Sequence, residues 1–301
     1  MNIVVVGSLN MDLVSHVPHL PKAGETIAST SFQTIPGGKG ANQAVAAARL
    51  GAAVHMIGRV GSDTYGDMLL GSLADSRVHM EGIVREGTTG MALINVSASG
   101  ENNIVLVPGA NGMMGTEDID RHRRLLEACD ILLVQLEIPL EVVEYAVKKV
   151  HELGKTAVLN PAPARSLSPS FLRHVDTITP NETELELLAG MPVETLSQME
   201  AAARALLGQG PKRVVVTMGE KGALIVNAEG AKHVPSLKVQ AVDTTAAGDS
   251  FTAAFAVGMA KGMTDEEAAK FASRVAAIVV TRHGAQPSLP TLAEVERHQI
   301  E

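Results

Sequence analysis

The chain has 301 residues, 46% hydrophobic and 19% charged, enough apolar side chain to bury a sizeable core and too much for a disordered or collagen-like chain. The 33 acids and 25 bases leave a formal charge of −8, and only 2% of residues are aromatic. An acidic chain with few stacking rings excludes a general nucleic-acid binder, which needs a basic stripe and aromatic platforms.

The chain opens on Ile3–Val6, an apolar run too short for a signal peptide and without a basic segment before it. No run approaches the ~20 apolar residues of a membrane span. One cysteine, Cys129, rules out an internal disulfide and reads as a small buried hydrophobe. A cytoplasmic protein is expected.

Continuous β-rich runs follow at Val54–Ile57, Ile131–Leu136, Thr156–Leu159, Thr177–Thr179 and Val214–Met218. Such runs suit strands buried on both faces. Helix-like segments lie between them: Ala41–Leu50, Tyr65–Ala74, Leu140–Leu153, Thr183–Leu188 and Ser197–Leu207. From Asp249 to about Ala260, and again from Thr264 to about Thr281, the pattern is helical. The alternation predicts an α/β fold with a mostly parallel central sheet flanked by helices, in one domain over 1–301. Leu13–Val17, Ile27–Ile35, Met91–Val96 and Asn103–Val107 are strand-like without intervening helices. They predict a small antiparallel sheet, inserted at about 13–36 and 90–108, placed to act as a lid.

Ligands of open α/β sheets bind outside the carboxyl ends of the strands. Polar residues gather at those ends here: Asn10 and Asp12 after the first run, Glu137 after the Ile131 run, Asn160, then Asn181 and Glu184, then Thr217 and Gly219. Each alone suits a turn; together they indicate a polar ligand site. Asn10 and Asp12, two apart in extended chain, share a face and could take adjacent sugar hydroxyls or form an Asx-turn. Gly38, Lys39 and Asn42 stand at the start of an Ala-rich helix, as ligand donors or as a plain Gly-rich turn. Neither a P-loop nor a dinucleotide fingerprint is present. Ala246, Ala247 and Gly248 lead into a helix with no bulky side chain over their amides, a pattern suited to an anion nest. Asp249 follows, either a base beside that nest or only a helix cap.

Gly37-Gly-Lys-Gly-Ala-Asn42 and Asp243-Thr-Thr-Ala-Ala-Gly-Asp249 resemble the two signatures of the ribokinase (PfkB) family of carbohydrate and nucleoside kinases. The resemblance spans nearly the whole chain and includes Gly7-Ser-Leu-Asn-Met-Asp12, Thr179-Pro-Asn-Glu-Thr-Glu184 and Arg282-His-Gly-Ala-Gln-Pro-Ser288. It implies transfer of the γ-phosphoryl of ATP to a sugar, with the O5 hydroxyl of D-ribose as first choice. A related acceptor such as 2-deoxyribose or pseudouridine, or a non-catalytic sugar sensor, are the alternatives. It implies Asp249 as base and the amides of 246–249 as anion hole. It implies Asn10, Asp12, Gly38, Lys39, Asn42 and Glu137 at the sugar. Asn181, Thr217, Gly219, Glu220, Gly222, Gly248 and Ser273 match nucleotide positions. Glu184 is tied indirectly to Mg²⁺. Asp243, Thr245, Val279, Arg282, Gly284 and Ser288 match positions around a K⁺ activator. The family's lid also implies a homodimer. After Asp249 the chain departs from the commonest pattern, reading Ser250-Phe-Thr-Ala.

Overall fold

The computed structural model describes residues 1–297. Its strands, in chain order, are β1 (Asn2–Val6), β2 (Asn10–Val17), β3 (Ser31–Gly37), β4 (Ala53–Val60), β5 (His79–Arg85), β6 (Gly90–Ser97), β7 (Asn102–Val107), β8 (Ile131–Val134), β9 (Thr156–Leu159), β10 (Thr177–Ile178), β11 (Arg213–Thr217), β12 (Ala223–Asn227) and β13 (Gly230–Val234). Nine form one sheet, ordered β13-β12-β11-β10-β9-β8-β1-β4-β5. Its other pairs are parallel, and only the pairs β11–β12 and β12–β13, toward one edge, are antiparallel, so β12 alone is reversed. The α/β architecture expected from the alternation is therefore present.

The continuous apolar runs are explained by burial on both faces. Ile3 and Val5 of β1 point into one core, Val4 and Val6 into the other, and all four are fully buried. Strand β8 repeats this with Ile131 and Leu133 against Leu132 and Val134. The first core is closed by the helices Lys39–Arg49, Ala247–Ala260 and Asp265–Val279, the second by Leu140–Glu152 and Leu196–Leu207. Cys129 is buried in the second core, and burial pushes its thiol up to about 11, so it packs as an inert hydrophobe.

The small sheet is β3-β2-β6-β7. Here one expectation is corrected: β2 and β6 pair in parallel, so the sheet is mixed rather than antiparallel. Strand β3 also begins at Ser31, later than the expected Ile27. Strand β2 follows β1 after only Gly7, Ser8 and Leu9, and Asn10 pairs with Gly37 at the end of β3. The chain thus leaves the large sheet, enters the small one and returns into the helix Lys39–Arg49 at one junction.

Gly38 makes that junction possible. Its φ is +87°, and a Cβ there would lie 2.5 Å from the Asn10 amide nitrogen. Both the conformation and the close approach require glycine. No helix among the described residues is long and apolar enough to cross a membrane.

Candidate active site

Glu137, just past β8, organises the junction. Its Oε2 accepts hydrogen bonds from the Ser8 hydroxyl at 2.6 Å, the Asn10 amide group at 3.2 Å and the Lys39 backbone N–H at 3.2 Å. Asn111 fixes Asn10 from behind: its Nδ2 donates to Asn10 Oδ1 at 2.7 Å, so Asn10 must present its NH₂ forward. Asp12 stands beside them with no hydrogen-bond partner for its side chain among the described residues. Burial, then the charges of Glu137 and Asp249, push the Asp12 carboxyl up to about 7 against the pull of Lys39. Burial lowers the Lys39 ammonium, but Asp249, Glu137, Glu184 and Asp12 outweigh it and hold it above its ordinary value. One cation thus faces several carboxylates in a largely dry site.

Asp249 lies in the first turn of the helix Ala247–Ala260 and is 6% exposed. Asn42 Nδ2 donates to its Oδ2 at 3.0 Å, and Gln43 Nε2 to its Oδ1 at 3.1 Å. Asn42 Oδ1 is buried without a partner among the described residues. Ala246, before the helix, holds a left-handed φ of +60°, rare for a residue with a Cβ. The turn bends the backbone so that the amides of Gly248 and Asp249 have no partner among the described residues, while Ala247 N–H donates to the Thr244 carbonyl. A Cβ added to Gly248 would meet nothing within 4 Å, so the space over these amides is open. Two free donors at a helix N-terminus, with space above them, fit an anion.

That space opens into a cavity of about 810 Å³, within the range of small-molecule sites. Thr217, Gly219, Glu220, Gly222, Gly248 and Ser273, the residues expected at the nucleotide, all line it. Gly222 has φ +98°, and a Cβ would fall 2.1 Å from the Val234 carbonyl, so this wall too depends on glycine. Asn181 does not line the cavity; it is bridged to Thr217 and caps the next helix. Its side chain accepts from the Glu184 N–H at 2.8 Å, and Glu184 Oε2 accepts from the Asn181 N–H at 2.9 Å. Burial raises the Glu184 carboxyl beyond what the Asn181 amide and Lys39 lower it.

The third group lies beside this cavity. Asp243 Oδ1 accepts from the Thr245 N–H and hydroxyl at 2.9 and 2.6 Å, and Oδ2 from the Gly284 N–H at 2.8 Å. Burial pushes Asp243 up, but these donors and the nearby His283 together hold it below the usual carboxylate range. The Arg282 guanidinium is drawn away to Glu294 at 2.8 Å, and the Ser288 hydroxyl donates to the Ala285 carbonyl. Val279 and Arg282 could offer only backbone carbonyls. An all-oxygen donor set with one held carboxylate fits a hard cation.

Sequence reading assigned no individual role to Ser8, Gln43, Asn111 and Gln135. Gln43 carried a usable signal: it is a large polar residue inside an otherwise Ala-rich, buried helix. The apolar cavity wall from Leu237, Val239 and Ala241 carried none, since 235–246 has no period to read.

A parallel α/β sheet with a polar cleft at the carboxyl ends of its strands has the form of an α/β enzyme. The family model for pfkB family carbohydrate kinases matches residues 1–292. The chain is 45% identical over 299 residues to a ribokinase of Bacillus subtilis, with 98% of each covered. It is 41% identical over 301 residues to a deoxyribokinase of Salmonella typhi, covering 99% of this chain and 98% of that one. Its fold matches the structure of Arabidopsis thaliana ribokinase complexed with ribose and ATP, with TM-score 0.90, 36% identity, and 98% and 97% of the two chains covered. The chain belongs to the pfkB family of carbohydrate kinases, and is a sugar kinase of the ribokinase type.

Proposed function

We propose that this kinase transfers the γ-phosphoryl of ATP to O5 of D-ribose, giving ribose 5-phosphate and ADP. The observation that carries this reading is the buried carboxylate of Asp249 beside two amides without a partner among the described residues, between the polar cluster of Asn10, Asp12, Asn42 and Glu137 and a cavity of about 810 Å³. ATP fills the cavity, its γ-phosphate toward Gly248 and Asp249. The sugar lies among Asn10, Asp12, Gly38, Lys39, Asn42 and Glu137. Asp249 takes the proton from the O5 hydroxyl as that oxygen bonds to phosphorus, and the bond from phosphorus to the β-phosphate oxygen breaks. The amides of Gly248 and Asp249 hold the charge that builds on the transferred oxygens. Lys39, kept protonated by its carboxylates, adds positive charge nearby.

Mg²⁺, when bound, would neutralise the phosphates; Glu184, whose Oε1 has no partner among the described residues, would hold it indirectly. Asp243 and Thr245, with carbonyls of Val279, Arg282, Gly284 and Ser288, would hold K⁺ and steady the turn ahead of the amides.

Asp12, Glu137 and Asp249 against one lysine would repel an acceptor that already carries phosphate, which supports a neutral sugar. The second reading, 2-deoxyribose, is favoured by the deoxyribokinase relative. ADP release from Mg·ATP separates them, comparing ribose, 2-deoxyribose, fructose and pseudouridine in K⁺ and in Na⁺ at equal ionic strength. Ribose in K⁺ is expected to be fastest. Faster turnover of 2-deoxyribose discards the first choice of acceptor, and equal rates in both salts remove the cation role of Asp243.

We also propose one α/β domain, with the small sheet as a lid and as the contact of a homodimer. Phe32 and Val105 of that sheet are each 59% exposed, and Leu93, Ile104 and Leu106 are exposed as well. The strand register puts Phe32, Leu93 and Val105 on one face and Ile104 and Leu106 on the opposite face, which carries Asp12; the exposed apolar face of Phe32, Leu93 and Val105 favours association. Sedimentation is expected to give a dimer that Val105→Lys dissociates; a monomeric parent at micromolar concentration contradicts the contact.

A further inference from the structure

Behind Asp249 lies a buried chain of amides that the transfer itself does not use. Gln43 and Gln135 are fully buried, Asn160 and Thr179 nearly so. Asn160 Nδ2 donates to the Thr179 carbonyl at 3.2 Å. Gln43 Nε2 donates to Asn160 Oδ1 at 3.2 Å and to Asp249 Oδ1 at 3.1 Å. Gln135 Nε2 donates to Gln43 Oε1 at 2.7 Å.

The direction of this chain has one solution. A backbone carbonyl can only accept, so Asn160 must turn its NH₂ to Thr179 and its oxygen to Gln43. Gln43 must then turn its NH₂ toward Asn160, and the same NH₂ reaches Asp249. Its oxygen is left to face Gln135, which supplies the matching donor. Gln135 Oε1 is left buried with no partner among the described residues. Gln135, Asn160 and Thr179 follow β8, β9 and β10 directly, so the frame of the relay is the central sheet itself. Asn42, next to Gln43 on the same helix, holds the other Asp249 oxygen. With one donor on each oxygen, the plane of the carboxylate is fixed.

We infer that Gln43 is a positioning residue for the reaction, with Asn160 and the Thr179 carbonyl setting the polarity that makes it a donor to Asp249. The inference rests on the proposed role of Asp249 as base. Gln43 touches neither substrate; it acts by keeping the base aligned with the acceptor hydroxyl, where small misplacements are costly.

The test is a double-mutant cycle on Gln43 and Asp249, with D-ribose and Mg·ATP. Gln43→Met keeps the shape of the side chain and removes its donor. It is expected to lower kcat by about 10–100-fold while changing either KM by less than about threefold. In the Asp249→Asn background the same substitution is expected to cause no further loss, because the group it serves is gone. A folded Gln43→Met with kcat within about twofold of the parent overturns the inference. So does an equal fractional loss in both backgrounds, which marks a merely structural effect. If Gln43→Met does not fold, Gln43→Asn draws the same donor back by one methylene and enters the same cycle. Failure of the underlying reading has a different signature: a parent that phosphorylates no acceptor, or an Asp249→Asn variant that turns over normally. In that case the side-chain amide resonance of Gln43 decides. A shift on Asp249→Asn supports the contact, and an unmoved resonance overturns it.

Discussion

Asp249→Asn is expected to lose turnover by roughly 10²–10⁴-fold, the usual scale for removing a general base, while sugar and nucleotide affinities stay within a factor of about three. Asparagine has nearly the same shape but cannot take the hydroxyl proton. It also disturbs the donors around it. Asn42 and Gln43 each turn an NH₂ toward one Asp249 oxygen. Asparagine offers an acceptor to one of them and sets a donor against the other, so one hydrogen bond is lost. The fold should tolerate this, because a buried negative charge leaves the site. The Asp249 charge is one of the causes that raise Asp12, so its removal relieves Asp12 as well. Single-turnover rates and sugar binding by calorimetry check the split. Turnover near that of the parent, in protein shown to be folded, would remove Asp249 from the role of base.

The central strands were legible because burial on both faces leaves no polar alternation to confuse the reading. Ile3–Val6, Ile131–Val134 and Thr156–Leu159 show this directly. Edge strands were not. His79–Arg85 and Gly230–Val234 mix exposed polar residues with few buried ones, and Ala223–Asn227, next to that edge, follows β11 after only the short 3-10 turn Gly219–Lys221. The parallel pairing of β2 with β6 had no local signal, since those strands lie far apart in sequence. The residues proposed for the sugar were legible because they cluster at one junction: Asn10 and Asp12 lie at the start of β2, Glu137 follows β8, and Gly38, Lys39 and Asn42 stand at the start of the helix Lys39–Arg49. The left-handed turn at Ala246 was not, because alanine is not a residue that announces positive φ. The relay through Gln43 was hidden for another reason. Its members come from four separate segments, and only the sheet order brings them together.

Asp12→Asn is expected to stabilise the ligand-free protein while weakening its hold on the sugar. Asp12 is buried, its side chain has no hydrogen-bond donor from the chain among the described residues, and its carboxyl is pushed up to about 7 by burial, Glu137 and Asp249. A folded-state value above the unfolded 3.8 fixes the sign. Between those values the folded protein keeps a proton that the unfolded chain has released, so stability falls as pH rises through this window and is level above about 7. A rise of about three units corresponds to roughly 4 kcal/mol, of which a neutral amide at this position should recover about 2–3 above pH 7 and little near pH 4. The melting temperature of the variant should therefore exceed that of the parent by several degrees at pH 8, with the gap closing as pH falls. The sugar pays the opposite way: a hydroxyl bound to a carboxylate is lost, and KM for the sugar should rise by about 10–100-fold. A gap in melting temperature independent of pH, or a less stable variant at pH 8, would show that Asp12 does not carry this cost. A carboxylate kept in place against its own burial, with no partner among the described residues, fits the proposed sugar, whose hydroxyl would supply one.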